Sequence, residues 1–386
     1  MNSIINYARH YIDKNDLKSV EKVLKGNFLS QGPTTVNFEK LLNKFFDSKY
    51  TTVVSSGTAA LHLIGKALGW KKADEIITSP LTFAATANSI CYSGASPLFV
   101  DIDSNTYNID LNQVENKLKQ KNKFKKKIKA IIAIDYAGNP CDWKNLRFLG
   151  NKYHVKLVND NCHALGAKYF GDKGYAARYA DVVSQSFQSL KNITTGEGGA
   201  IITNDKNIDK KVRILRNHGI VPNSKKGFHW KNNQIDLGYN YRLTDFQSAL
   251  GISQLKKINI FMRRRAEIAS IYDTYFSENK NLSIPKTNLK NKHAYHLYPL
   301  LIDFSKLKIK KDKMLNFFLK KGIRLQVNYT PLYHYDFYKK NFAYKKKIFP
   351  NTENFFKQEV SIPIFPGLTK KNQLKFIKLF NNYLFY

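Results

Sequence analysis

The sequence predicts an α/β protein, and three observations carry that prediction. Short apolar runs bounded by polar or glycine-rich turns recur from about position 51 to position 203, with helix-length patterns between them. The residues with chemistry to offer, at positions 57, 83, 160, 186 and 191, all fall just past the ends of those runs, where open α/β sheets place their ligands. A chain of 386 residues with 43% hydrophobic side chains is long enough to bury a sizeable core, divided between a large and a small domain.

The strand candidates are, in order, 52–54, 75–78, 97–100, 129–134, 155–158, 181–184 and 200–203. Each is strand-length and dominated by aliphatic residues, far short of a membrane span. From about 245 to 275 the pattern turns helical, and Tyr295-His296-Leu297-Tyr298-Pro299-Leu300-Leu301-Ile302 opens a smaller C-terminal α/β region. The lysine-rich run at 119–129 falls between a helix-like segment and a strand and reads as a solvated loop. Arg263-Arg264-Arg265, inside the long helical pattern, reads as a solvated face. No internal repeat is visible.

Lys191 is the most informative position. It follows the strand candidate 181–184 and precedes Gly196-Glu197-Gly198-Gly199, whose glycines permit a sharp turn back into the next apolar run. Such a turn fixes a side chain at a strand end. In so basic a chain an arbitrary lysine is ordinarily a solvated surface group, but a second element changes the reading. Leu157-Val158-Asn159-Asp160-Asn161-Cys162-His163 puts an acid directly after an apolar strand pattern, with a histidine three residues on. Pyridoxal phosphate needs that combination. Its aldehyde meets a lysine as a Schiff base, and its ring nitrogen stays protonated beside a carboxylate so that the ring can absorb electrons.

A third element offers a phosphate site. The strand pattern at 52–54 runs into Ser55-Ser56-Gly57-Thr58-Ala59-Ala60, a small-residue turn that opens an apolar helix. Free N–H groups at a helix N-terminus, a glycine for close approach and the Thr58 hydroxyl suit a dianion. Taken alone this motif reads more readily as an ordinary Ser/Thr helix cap; the three elements together make coincidence the weaker explanation.

With these residues in place, the chain resembles the DegT family of sugar aminotransferases over nearly its whole length. The resemblance runs from Asn27-Phe28-Leu29-Ser30-Gln31-Gly32-Pro33 through the glycine turn at 57, Ser79-Pro80-Leu81-Thr82-Phe83 and Phe99-Val100-Asp101-Ile102-Asp103. It continues through Gly238-Tyr239-Asn240-Tyr241-Arg242-Leu243-Thr244-Asp245 to Ser361-Ile362-Pro363-Ile364-Phe365-Pro366. It implies an aspartate-aminotransferase-like fold, fold type I of the pyridoxal-phosphate enzymes, with a mainly parallel seven-stranded sheet. Residues 1–250 would form a large cofactor-binding domain with an N-terminal arm, and residues 251–386 a small C-terminal domain.

By the same resemblance Lys191 is the Schiff-base lysine and general base, Asp160 the partner of the ring nitrogen, and His163 lies against the ring or its phenolic oxygen. Phe83 would stack on the ring, and Gly57, Thr58 and Ser186 would hold the phosphate. Asn240 matches an asparagine that reaches the phosphate from the neighbouring subunit, which implies a homodimer with shared active sites. Removed from the family frame, Phe83 reads as a core aromatic and Asn240 as a turn residue. The segments 77–90, 160–166 and 322–331 resemble the branch that aminates UDP-4-keto-6-deoxy-N-acetyl-altrosamine in pseudaminic acid biosynthesis, with glutamate as the implied donor. Three positions depart from common family usage: Asn159, Gln188 and Asn328. The last two are expected near the sugar or nucleotide, where they bear on which substrate is taken.

Composition bounds the alternatives. The formal charge of +34 argues for a nucleic-acid partner through phosphate neutralisation. The excess is mostly lysine spread along the chain, however, and a positive field equally suits an anionic nucleotide sugar. Cys91, Cys141 and Cys162 lie far apart without metal-ligand spacing, which fits reduced thiols, and the chain is expected to be cytoplasmic with neither membrane nor nucleic acid as partner. Three readings stand: a nucleotide-sugar aminotransferase acting on this or another UDP- or dTDP-4-ketosugar; a sugar-deoxygenating relative, against which Lys191 counts because those enzymes carry histidine there; and a cofactor-binding regulatory or nucleic-acid-associated protein without turnover.

Overall fold

The structure is a computed structural model that describes residues 4–120, 127–222, 230–342 and 344–385. Its centre is a seven-stranded sheet of β1 (Tyr50–Val54), β2 (Asp74–Thr78), β3 (Ser96–Phe99), β4 (Lys127–Ile134), β5 (Lys156–Asp160), β6 (Val182–Ser186) and β7 (Gly199–Thr203), in the order β1-β7-β6-β5-β4-β2-β3. β7 runs antiparallel to both neighbours and the remaining pairings are parallel. All seven expected strands are present, and so is the mainly parallel α/β architecture.

The apolar runs are continuous because both faces of the sheet are covered. Successive side chains point to opposite faces: Val53, Ile77, Ile131, Leu157, Val183 and Ile202 join one core with Phe38, Trp143 and Phe187. Their neighbours Val54, Ile76, Ile132, Val158, Val182 and Ile201 join the other, with Leu63 and Val212. A third core lies around a small antiparallel sheet of the strands Leu282–Ser283, Tyr298–Ile302 and Glu359–Ile362. It also takes in Ile5, whose N–H donates to Gly322.

The pattern at 245–275 is two helices, Asp245–Lys256 and Ile258–Phe276. The second links the cores: Phe261 and Met262 belong to the large one, Ile268, Tyr272 and Phe276 to the small one. Between them the solvated-face reading of Arg263-Arg264-Arg265 fails at one residue. Arg263 is exposed, but Arg265 is 1% exposed and donates to the carbonyls of Tyr295 at 2.8 Å and Ile364 at 3.0 Å. Helical periodicity places one of three consecutive side chains inward, and here that side chain binds backbone carbonyls beside the small core. The lysine-rich run follows helix Leu111–Lys119 and reaches β4 at Lys127; its residues 121–126 lie outside the described residues. Among the described residues no helix is long and apolar enough to cross a membrane.

Candidate active site

β1 ends at Val54 and the chain turns into helix α1 (Gly57–Ala67). Ser56 caps it, its Oγ accepting from the Ala59 N–H at 3.0 Å. The first-turn N–H groups have no preceding carbonyl to bond and carry the positive end of the helix dipole. Gly57 faces Ser186, the last residue of β6; a Cβ at position 57 would stand 2.8 Å from the Ser186 Cβ. Only glycine lets this helix end and this strand end approach so closely.

Asp160 closes β5. Its Oδ2 accepts from the Thr86 hydroxyl at 2.7 Å and its Oδ1 from the Cys162 N–H at 3.3 Å. Thr86 is itself within 2.8 Å of the Thr82 hydroxyl, so the carboxylate is oriented by helix Ala84–Tyr92 from across the sheet. One residue upstream, Asn159 points to the other side and donates to the buried Asp135 carboxylate at 3.2 Å. The unusual residue at 159 is thereby explained: an acid there would face Asp135 across a dry interior.

The turn after β6 carries Lys191. Phe187 N–H donates to Gly198, Thr195 N–H to Phe187, and Lys191 N–H to Gln188, while Gly196 adopts a left-handed φ of 81°. The Lys191 amine has neither a hydrogen bond nor an ion pair among the described residues. Burial lowers its pKa, opposed by the nearby Cys162 and Asp160. The lowered pKa favours the neutral, nucleophilic amine. Burial, and then the Lys191 charge, hold the His163 imidazole well below the ordinary histidine range.

Gly57, Thr58, Phe83, Asp160, His163, Ser186 and Lys191 thus meet in one cleft of about 740 Å³. Phe83 is 58% exposed although it is a large aromatic, and its exposed face lies in that cleft, 5.9 Å from the Tyr329 ring. Asn240 does not line the cleft within this chain; it is exposed and bridges to Asn217.

Three contributors escaped sequence reasoning. Thr86 orients Asp160. His296 packs against His163 at a tilt of 35° with ring centroids 4.4 Å apart, and the Tyr329 hydroxyl lies 3.1 Å from His163 Nε2. No local pattern marks them, since each meets its partner across more than seventy residues.

The arrangement fits pyridoxal phosphate on three counts: a close-approach glycine at a helix N-terminus for the phosphate, an unpartnered amine for the aldehyde, and an oriented carboxylate for the ring nitrogen. The DegT/DnrJ/EryC1/StrS aminotransferase family matches residues 10–380. The chain belongs to that family. It is a pyridoxal-phosphate-dependent aminotransferase with the fold of those enzymes. This aminotransferase is 40% identical over 375 residues to the UDP-4-amino-4,6-dideoxy-N-acetyl-beta-L-altrosamine transaminase of Campylobacter jejuni, covering 97% of this chain and 96% of that one. It is 41% identical over 365 residues to an uncharacterized protein of Methanocaldococcus jannaschii, covering 94% and 92%. It superposes on Helicobacter pylori PseC, an aminotransferase involved in the biosynthesis of pseudoaminic acid, with a TM-score of 0.90, 33% identity and 99% of both chains covered.

Proposed function

We propose that this aminotransferase moves an amino group from glutamate to the C4 keto group of UDP-4-keto-6-deoxy-N-acetyl-β-L-altrosamine. The observation that carries the amine chemistry is the unpartnered Lys191 amine between Asp160 and the Gly57–Ser186 cradle. The choice of sugar is supported by relatives with that activity in their names.

Bound pyridoxal phosphate supplies an aldehyde and an electron-accepting ring. In this reading the N–H groups at the start of α1 and the hydroxyls of Thr58 and Ser186 would hold its phosphate dianion. The Asp160 carboxylate, held by Thr86, keeps a proton on the ring nitrogen. The Lys191 amine would hold the cofactor's aldehyde and, when released by a donor amine, would be the group placed to move the proton of the donor α-carbon. The same amine works in reverse to protonate C4 of the sugar. His163, kept neutral, donates or accepts one hydrogen bond without adding charge beside the amine. Phe83, exposed in the cleft, would cover one ring face.

Residues 1–250 act as the cofactor-binding domain and 251–386 as the smaller one. The enzyme works as a homodimer in the cytoplasm, with Asn240 completing the phosphate site of the partner. The test is an absorbance spectrum of protein supplied with pyridoxal phosphate. A visible band, absent in Lys191→Ala, should bleach with glutamate and return with this ketosugar from a panel of UDP- and dTDP-4-ketosugars. A band that never answers to amino donors sinks the reading.

A further inference from the structure

The chain is rich in lysine but holds only ten arginines. All but Arg9, Arg263 and Arg324 bond to carboxylates, backbone carbonyls or an amide. Those three are exposed and have neither a hydrogen bond nor an ion pair from their guanidinium groups among the described residues. One of them stands at the mouth of the cleft.

The stretch 323–326 is anchored at both ends, Ile323 bridging to Ile5 and Gln326 to Ser361. Between the bridges the Arg324 N–H donates to the Ile5 carbonyl at 2.8 Å. Ile323 and Leu325 are buried in the small core, so Arg324 and Gln326 share the opposite face of this extended stretch. Gln326 lines the cleft, which puts Arg324 one same-face step, about 7 Å, beyond it. Tyr7, another cleft residue, marks the same side. Burial raises the pKa of its hydroxyl, and the Arg324 charge works against that rise.

The cleft itself is short of cations. Among the described residues that line it, Lys191 is the only lysine or arginine, and its amine is reserved for the cofactor's aldehyde. Burial holds the imidazoles of His163 and His296 well below the ordinary histidine range. A nucleotide-linked ketosugar that offers its keto carbon to Lys191 extends its diphosphate outward, past the sugar ring. Two negative charges at the mouth call for a donor fork there, and a guanidinium matches phosphate oxygens in pairs.

We propose that Arg324 binds the diphosphate of the acceptor: its guanidinium, uncommitted at the cleft mouth beside Tyr7 and Gln326, takes the phosphate oxygens of the nucleoside diphosphate that carries the ketosugar. The inference rests on the nucleotide-sugar reading above. A donor as short as glutamate, reacting at Lys191, does not extend to it.

The test is calorimetric binding of UDP to the enzyme loaded with pyridoxal phosphate, beside the rate at which glutamate bleaches the cofactor band. In Arg324→Ala the Kd for UDP should rise roughly 10- to 100-fold, the usual effect of losing charge-assisted hydrogen bonds. Arg324→Lys should fall between, because it keeps the charge and loses the fork. Arg263→Ala removes an equally exposed and unpartnered charge from helix Ile258–Phe276 and should leave the Kd unchanged. Uridine, which lacks the phosphates, should bind wild type and Arg324→Ala equally, and glutamate should bleach both at the same rate. An unchanged Kd for UDP in Arg324→Ala, or an equal weakening in Arg263→Ala, overturns the assignment. Slower bleaching by glutamate with UDP binding intact gives Arg324 to the donor's carboxylate and overturns it too. A wild type that answers glutamate but does not bind UDP overturns the nucleotide-sugar reading and this inference with it. Wild-type binding with an unaltered variant removes this inference alone.

Discussion

The wall that carries Lys191 and the wall that carries Asn328 meet over one cleft but are built on different terms. The first is assembled from strand ends and tight turns: Gly57 after β1, Asp160 at the end of β5, Ser186 and Lys191 at and after β6. Its bonds within the turn are short-range, and its reactive amine has no partner. The second is assembled from contacts between distant parts of the chain. Tyr136 bonds Asn328, Tyr329 reaches His163, Arg265 holds the backbone next to His296, and two buried charges, Arg265 and Glu359, serve backbone groups. The difference teaches that reactivity here comes from withholding partners, whereas the placement of the recognition wall comes from supplying them. Damage to the first wall should cost activity without stability, and damage to the second should cost stability or selectivity without chemistry.

The largest effect should follow Lys191→Ala. Turnover falls roughly 10²- to 10⁴-fold, the range for a lost proton-transfer group, while the melting temperature of the cofactor-free chain holds or rises because a half-buried, unpaired amine is removed. A large drop in that melting temperature would break the comparison. Next comes Arg265→Met. Burial without a carboxylate partner lowers the Arg265 pKa to about 9, and its donors serve the carbonyls of Tyr295, His296 and Ile364. Leaving them bare should cost about 3 kcal/mol in a urea melt, with the visible cofactor band retained at low denaturant.

Gly57→Ala sharpens the first wall. The new methyl would press on Ser186, so cofactor affinity, measured by equilibrium dialysis, should fall roughly 10- to 100-fold, with the apo fold intact. The smallest effect concerns pH. Burial raises the Glu359 pKa to about 7, offset in part by its bonds from Ser361 and Asn328 and by Lys311. Lys311 is itself near Asp312, and Tyr136 faces the same carboxyl. An acid whose folded-state pKa is raised binds its proton more tightly when folded, so its contribution is full below the unfolded-state value and is lost as pH rises to about 7. Comparing melting temperatures of wild type and Glu359→Gln from pH 5 to 8, the wild type should lose stability relative to the variant as pH rises. A constant difference would show that Glu359 does not titrate in that window.

Much of the first wall was legible before folding. Alternating burial requires continuous apolar runs in a sheet covered on both faces, so all seven strands could be read, and a glycine at a strand-to-helix turn announces a close approach. The second wall was legible only as a departure from family usage at Asn328. His296 and Tyr329, which pack on His163, and Thr86, which holds Asp160 in the first wall, lie in segments whose local pattern gives those residues no task. Arg265 was misread for the same cause: three adjacent arginines look alike until the helix is set between two cores.

By itself the sequence determined the sheet, the phosphate-binding turn and the lysine loop, because strand periodicity, helix capping and glycine turns depend on residues a few positions apart. Only the tertiary structure decided that Gln188 spends its amide within its own loop, that the Asn328 backbone is held by Glu359 and Tyr136, that Asp160 is held by Thr86, and that Arg265 is buried. Those outcomes depend on which donors and acceptors arrive from remote segments, and a hydrogen bond formed across a hundred residues leaves no periodic trace in the chain.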